Sequence, residues 1–323
     1  MPGHSQGLKG LSRQGLNFCL TEGNVTHTHQ PFGELANDKA GQTIATMKAI
    51  YTELAGMFPD EELFIGADEV APAGNCTLSD YAAIERAVCE TVTGDKTQGG
   101  LGRTVGGWEE YAFETAVVPP LPSAAEGASN YVVNTWHYHT QFESTARGWQ
   151  TVASNDSHFY LVYGGGYPSY WVDIASGMNA TQRSLLRGGS VSAWVDEYCY
   201  IAYCIHEGQF PSAHALFPPS ADALFHQSII GYSFPRAAVG AGSFWNYLSE
   251  FKAAGGDGAF QATYDAMNSR LIQRGVPSCP SECHCDAASR CGTPYINETV
   301  PPIRTLSKQE LFELRPGRPL HLP

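Results

Sequence analysis

Two adjacent carboxylates, Asp68 and Glu69, follow the short apolar run of residues 63–66. A short apolar run of this kind predicts a buried strand, and carboxylates are rarely buried unless another group pairs with them. One interpretation is that Asp68 caps the helix that follows. The other is that the two side chains form a general acid and base at the mouth of a barrel, where catalytic residues follow the carboxyl ends of the strands.

The composition restricts the classes of partner. The 323 residues include 19 Lys and Arg against 32 Asp and Glu, which gives a formal net charge of −13. This charge argues against binding of nucleic acid phosphates or of an anionic membrane surface. No apolar run reaches the roughly 20 residues of a membrane-spanning helix. Aromatic residues make up 11% of the chain, and Trp and Tyr rings suit stacking on sugars.

Several sequence features indicate an oxidising compartment. Four of the nine cysteines form a cluster, for which a zinc site is the alternative to disulfides: Cys279, Cys283, Cys285 and Cys291. Five N-glycosylation sequons are present, at Asn24, Asn75, Asn155, Asn179 and Asn297. The first twenty residues nevertheless lack the apolar region of a signal peptide. The secretory features and the missing signal therefore disagree.

The hydrophobic pattern predicts alternating strands and helices. The strands are expected at residues 63–66, 104–108, 131–136, 159–163 and 190–194. A first helix is expected from an Asn37 or Asp38 cap to the stop at Gly56 and Pro59. Further helices are expected at 111–117, 143–152, 180–186, 221–230, 235–247 and from Asp257 to Gly275. Strands about thirty residues apart with helices between them predict parallel β/α units. A barrel fits better than a doubly wound sheet, because no G-x-G-x-x-G loop follows the first strand.

Polar and aromatic side chains follow the predicted strands. Such residues would collect at the carboxyl-terminal mouth of a barrel: Asp68 and Glu69, Trp108 and Glu110, Trp136, Tyr170 and Trp171, and Trp194 and Asp196. Any one of these tryptophans could equally pack in the core. Three of them at matching strand ends indicate a pocket instead.

The motifs in this order resemble those of family-20 glycoside hydrolases, the β-N-acetylhexosaminidases. Gly66-Ala67-Asp68-Glu69 resembles the family's G-x-D-E, and Trp108-Glu109-Glu110 its W-Q-E. The other matching segments are Met1-Pro2-Gly3-His4, Val133-Asn134-Thr135-Trp136, Ala193-Trp194-Val195-Asp196, Phe234-Pro235-Arg236-Ala237 with Phe244-Trp245, and Arg270-Leu271-Ile272-Gln273-Arg274-Gly275. The likeness extends over nearly the whole chain, to about Cys291.

The resemblance implies an incomplete TIM (β/α)8 barrel. The chain would begin in the loop after the third strand, so that strands one, two and most of three are missing. Residues 1–275 would form the partial barrel and residues 276–323 a Cys- and Pro-rich tail. Cys19 and Cys76 fall where animal members of the family pair cysteines. A barrel without those strands would have unpaired edges, so we expect this polypeptide alone to be aggregated or molten.

The resemblance also assigns a reaction and its residues. Terminal non-reducing N-acetylhexosamine would be hydrolysed from glycans or chitin oligosaccharides, with Glu69 as acid/base and Asp68 orienting the 2-acetamido group. His4, Trp108, Trp136, Tyr170, Trp171, Trp194 and Asp196 would bind the sugar. No cofactor or metal is implied. The full-length form would be a lysosomal or secreted glycoprotein, and a homodimer is compatible with the family.

Three departures from the family pattern keep other functions open. Asp196 is one methylene shorter than the family's Glu, Phe64 replaces its His or Asn, and Tyr170-Trp171-Val172 replaces its W-Y-L. Asp196, Phe64 and the missing first strands favour a catalytically inactive, sugar-binding relative as the alternative. An ordinary two-carboxylate glycosidase with Glu110 as nucleophile is a third reading, although Glu110 could simply be solvated.

Overall fold

The structure, a computed structural model, describes residues 16–19, 35–36, 41–69, 76–118, 130–137, 139–161, 172–193, 233–234, 236–244 and 257–274. The described residues up to 193 and those from 233 to 267 belong to one compact unit. Of a second unit, the structure describes residues 268–274. The predicted tail of residues 276–323 and the predicted helix at 221–230 lie outside the described residues.

Five parallel strands form one sheet. They are β1 (Glu62–Phe64), β2 (Thr104–Trp108), β3 (Tyr131–Thr135), β4 (Gln150–Ala153) and β5 (Leu186–Gly189). Their spatial order is β1-β2-β3-β4-β5, and every neighbouring pair is parallel. A doubly wound sheet reverses its strand order at a switch point. The uninterrupted order found here is therefore that of a barrel wall.

Helices connect and follow the strands. They are α1 (Gln42–Met57), α2 (Leu78–Thr93), α3 (Glu110–Phe113), α4 (Thr140–Ala146), α5 (Asp156–Phe159), α6 (Ala180–Leu185) and α7 (Asp257–Gln273), and residues 236–244 are also helical. Helix α1 is capped by Gly41 with φ 70°, so the prediction that Asn37 or Asp38 caps it is wrong. Helix α2 was not predicted, although Thr77 and Asp80 form a reciprocal capping box at its start.

The two later strands differ from the prediction. Of the predicted strand at residues 159–163, the structure describes residues 159–161: Phe159 is the last residue of α5, and Tyr160 forms an isolated parallel bridge to Ser192. The strand lies instead at Gln150–Ala153, inside the region predicted to be helical. Gly148 has φ 85° and follows the end of α4, after which the β-branched Thr151 and Val152 favour an extended chain. The last described strand is Leu186–Gly189, so it precedes the strand predicted at residues 190–194. Of that predicted strand, the described residues 190–193 form one isolated bridge, from Ser192 to Tyr160.

One face of the sheet packs against the helices. Leu63, Ile65, Val105 and Val133 are buried there, together with Met47 and Tyr51 of α1 and Ile84 and Val88 of α2. Each such side chain contributes about 1.5–3 kcal/mol when it is fully buried. A second cluster lies beside β4 and contains Ala153, Phe159, Leu161, Val239 and Tyr264. The strands are thus fixed from one side, and their opposite face is available to line a barrel interior.

A salt bridge joins the two outermost strands. Nη1 of Arg187 in β5 lies 3.3 Å from Oε2 of Glu62 in β1. The Glu62 carboxylate lies over Gly106 of β2. A Cβ added to Gly106 would be 2.4 Å from Oε1 of Glu62, so the space that the carboxylate occupies depends on this glycine. Because the bridge is partly exposed, it adds little to stability. It shows that the sheet curls until its first and last strands approach each other.

The predicted pairing of Cys19 with Cys76 is confirmed, since the two residues form a disulfide. Among the described residues, we find no helix with the length and apolar character needed to cross a membrane.

Candidate active site

After β1 the chain makes a turn in which several residues have a left-handed backbone conformation, with positive φ angles. Gly66, Ala67 and Glu69 have φ angles of 74°, 75° and 49°, and this region is unfavourable for residues with a Cβ. The turn separates the two carboxylates: Asp68 is only 4% exposed, whereas Glu69 is exposed to solvent. The next described helix, α2, is capped by Thr77, so the interpretation of Asp68 as its cap is wrong.

Trp108 ends β2 beside this turn. Its backbone N–H donates a 2.8 Å hydrogen bond to the carbonyl oxygen of Gly66, which ties the end of β2 to the turn. Its ring meets that of Phe64 edge to face, with 5.4 Å between the ring centroids. Phe64 is 42% exposed. The two rings therefore form an apolar surface on the face of the sheet opposite the helices.

Glu110 is the first residue of α3 and lies beneath the turn. Its Oε1 accepts a 3.0 Å hydrogen bond from the backbone N–H of Glu69 and a 2.9 Å bond from the indole N–H of Trp136. The side chain is buried, at 3% exposure, so the interpretation that Glu110 is solvated is wrong. Burial raises the pKa of the Glu110 carboxyl to about 7, although the hydrogen bonds from Glu69 and Trp136 act in the opposite direction.

Glu109 holds the segment that follows β3. Its Oε2 accepts hydrogen bonds from the Trp136 backbone N–H at 2.9 Å and from the Thr140 hydroxyl at 2.6 Å. Its Oε1 pairs with Nδ1 of His137. The imidazole is half exposed and lies against the Trp136 ring, with 3.7 Å between centroids. A buried carboxylate with this many donors fixes the backbone around it.

Trp136 is held at its backbone, its indole nitrogen and its ring. The indole ring stacks near Tyr160, with centroids 6.3 Å apart and planes inclined by 17°. The side chain remains partly accessible. A ring with this many restraints is rigidly placed, as a residue that positions a ligand must be.

The structure brings together four of the predicted site residues. Asp68, Glu69, Trp108 and Trp136 lie at the carboxyl ends of β1, β2 and β3, which are neighbours in the sheet. The other predicted site residues lie outside the described residues: His4, Tyr170, Trp171, Trp194 and Asp196. Sequence reasoning missed Glu109, His137 and Thr140. The sequence signal for Glu109 was its position directly after Trp108, beside Glu110.

The described residues contain no group of three or more His, Cys, Asp or Glu side chains that could hold a metal ion. The cysteine cluster at residues 279–291, for which zinc was the alternative, lies outside them.

The family assignment comes from the sequence match. The model of the glycosyl hydrolase family 20 catalytic domain matches residues 1–194. This chain belongs to glycosyl hydrolase family 20. The match contains the Asp68–Glu69 turn and the Trp108–Glu110 segment, so both lie within the family's catalytic domain. No curated protein sequence matches the chain.

Solved structures agree with the fold of this family-20 chain. A family-20 exo β-N-acetylglucosaminidase from Vibrio harveyi, in complex with N-acetylglucosamine, aligns with TM-score 0.55 and 16% identity over 87% of this chain and 43% of that one. An inactive mutant of the same enzyme aligns with TM-score 0.53 and 16% identity, over 86% of this chain and 42% of the mutant's chain. A β-N-acetylhexosaminidase aligns with TM-score 0.51 and 14% identity, over 85% of this chain and 56% of that chain.

The chain thus spans about half the length of these structures. At such identities the likeness establishes the fold, and these structural neighbours are TIM barrels. The predicted fold class, a TIM barrel, is confirmed by this likeness and by the five-stranded parallel sheet.

Proposed function

We propose that this protein is a β-N-acetylhexosaminidase, which removes terminal non-reducing N-acetylhexosamine residues from glycans or chitin oligosaccharides. The observation that supports this most is the separation of two adjacent carboxyl groups by one turn. Asp68 is buried and Glu69 is exposed. A buried carboxyl is held in one orientation and can position a substrate group, whereas an exposed carboxyl can reach a leaving group that lies toward solvent.

The reaction would use the substrate's own acetamide as nucleophile. The acetamide carbonyl oxygen attacks the anomeric carbon while Glu69 gives its proton to the departing glycosidic oxygen. Asp68 orients the acetamide N–H and stabilises the positive oxazolinium ring that forms. Glu69, now a carboxylate, then takes a proton from water, whose oxygen attacks the anomeric carbon and restores the acetamide. An intramolecular nucleophile gains rate because it needs no second encounter.

The geometry argues against a mechanism with two enzyme carboxylates. That mechanism needs carboxyls about 5–5.5 Å apart on opposite sides of the scissile bond. Asp68 and Glu69 are consecutive, and their turn directs one inward and one outward. Glu110, the other candidate nucleophile, is buried with its Oε1 engaged by Glu69 and Trp136. A nucleophile must instead reach the anomeric carbon.

The aromatic residues suit the apolar face of a sugar. Trp108 and Trp136 lie at neighbouring strand ends and stay partly accessible, and Phe64 widens the apolar surface beside Trp108. Trp194, Tyr170, Trp171, Asp196 and His4 complete the site by resemblance only. The Cys19–Cys76 disulfide suits an oxidising compartment, so we propose a lysosomal or secreted protein.

A second candidate is an inactive, sugar-binding relative. The exposed ring of Phe64 favours it, because an apolar side chain stands where the family has His or Asn. The experiment measures hydrolysis of a chromogenic β-N-acetylglucosaminide by the protein produced from its native transcript, here called the native protein. Hydrolysis that is lost in Glu69→Gln would support the enzyme. The control is Glu53→Gln, on the exposed side of α1, which should keep the activity. Saturable sugar binding without turnover would support the inactive relative.

A further inference from the structure

Glu110 connects two parts of the site through a single atom. Its Oε1 receives the backbone N–H of Glu69, which follows β1, and the indole N–H of Trp136, which follows β3. Glu110 itself begins α3, directly after β2. The middle strand of the three therefore presents one acceptor to donors from the strands on both sides.

We propose that Glu110 is a positioning residue that fixes the acid Glu69 and the ring of Trp136 relative to each other. This inference rests on the proposed function only in the roles it gives to Glu69 and Trp136. Glu110 would touch neither the substrate nor the reacting atoms. It would act by setting the distance between the proton donor and the ring that confines the sugar.

The turn that follows β1 has a strained backbone, which the hydrogen bond to Glu110 would stabilise. Ala67 and Glu69 both have left-handed φ angles, and non-glycine residues in this region persist only where their surroundings hold them. The Glu69 N–H bonded to Glu110 lies within this turn. Without the acceptor, the turn could relax toward an ordinary backbone conformation and move the Glu69 carboxyl. A misplacement of about 1 Å can lower a catalytic rate by about a hundredfold.

The role requires an acceptor and not a charge. Glu110 is buried, and its Oε2 has no hydrogen-bond partner in the part of the chain that the structure describes. A buried carboxylate with an unpartnered oxygen is costly in its charged form, and burial favours the neutral carboxyl here. The carbonyl oxygen of a glutamine has two lone pairs and can accept both hydrogen bonds. A glutamine should therefore replace Glu110, whereas an alanine should not.

The test compares Glu110→Gln and Glu110→Ala in the native protein. We expect Glu110→Gln to keep kcat within about threefold of wild type, and Glu110→Ala to lose about 10- to 100-fold in kcat with a smaller change in KM. Glu114→Ala is the matched control, because Glu114 is exposed and lies one helical turn further along. A loss above about tenfold in Glu110→Gln, or unchanged kcat in a folded Glu110→Ala, would overturn the proposal. If Glu110→Ala does not fold, Glu110→Gln alone decides.

A second readout does not depend on turnover. The indole N–H of Trp136 gives its own NMR resonance, identified among the six tryptophans by its disappearance in Trp136→Phe. We expect this resonance and the Glu69 amide to keep their slow exchange with water in Glu110→Gln and to exchange faster in Glu110→Ala. Unchanged exchange in Glu110→Ala would overturn the positioning role. A native protein without any hydrolysis would overturn the proposed function alone, since the two resonances would still report the positioning.

Discussion

Asp68 and Glu69 are consecutive residues, yet Asp68 is buried and Glu69 is exposed. The turn after β1, whose residues have left-handed φ angles, produces this difference in solvent exposure. It leaves the Asp68 carboxyl enclosed by protein and the Glu69 carboxyl in contact with solvent. The buried carboxyl can orient a substrate group rigidly, while the exposed one can exchange protons with water and with the leaving group.

Substitution of either carboxyl should abolish most activity by a different route. Glu69→Gln removes the proton donor and should lower kcat by about 10²- to 10⁴-fold. Substrates with very acidic leaving groups should lose less, because they need no protonation. Asp68→Asn keeps the shape but removes the charge that stabilises the oxazolinium ion, and should cost about 10²- to 10³-fold with every leaving group. Steady-state kinetics on aryl glycosides of graded leaving-group acidity measure this, and equal leaving-group dependence in both variants would contradict it.

Glu109 should contribute more to stability than its surface neighbours do. Glu109→Ala leaves the Trp136 backbone N–H without its acceptor and removes the partner of the His137 imidazole. The Thr140 hydroxyl keeps a second acceptor, the carbonyl oxygen of His137 at 2.8 Å. A buried donor that loses its acceptor costs about 1–3 kcal/mol. Denaturant unfolding should show at least such a loss, and Thr140→Val should show a smaller one. Glu143→Gln is the control, since Glu143 pairs with Arg147 on the surface. Equal stabilities of Glu109→Ala and Glu143→Gln would contradict the prediction.

The buried Glu85 of α2 should make stability depend on pH. Burial raises its pKa from 4.5 to about 8, so the folded state binds the proton more tightly than the unfolded state does. Below pH 4.5 the group is neutral in both states and adds no ionisation penalty to folding. Between pH 4.5 and 8 its contribution to stability falls as pH rises, by an amount on the order of a few kcal/mol.

Glu85→Gln should therefore raise the melting temperature at pH 8 and change it little at pH 4. Glu90→Gln, at an exposed position of the same helix, serves as the control and should show no such pH dependence. Melting curves across this pH range measure the difference. An effect of Glu85→Gln that is equal at pH 4 and pH 8 would be inconsistent with a buried neutral carboxyl.

The sequence predicted the parts of the fold that strong local patterns determine. Strand β2 lies where it was predicted, and α7 begins at Asp257 as expected. The short strand β4 was misplaced, because four residues are too few for the periodicity to separate a strand from the end of a helix. Its position depends on Gly148 and on pairing with β3, and this pairing is a tertiary contact.

In the candidate site, too, some features could be predicted from local sequence and others could not. Asp68, Glu69, Trp108 and Trp136 could be found from residue type and position after predicted strands. The hydrogen bonds of Glu109 and Glu110 could not, because they join segments up to 41 residues apart. The sequon at Asn155 gives a second example. Asn155 is 3% exposed and its side chain accepts the N–H of Ser157 at the start of α5, so in the folded chain it serves as a helix cap and is not accessible to a glycan.

In the proposed reaction the substrate supplies the nucleophile. The most direct measurement is kcat/KM of the native protein on aryl β-N-acylglucosaminides whose acetyl group carries zero, one, two or three fluorine atoms. Fluorine withdraws electrons from the carbonyl oxygen, so participation of that oxygen predicts a steep and continuous fall in rate along the series. A rate that is nearly independent of fluorination would show that the acetamide does not attack and would contradict the proposed mechanism.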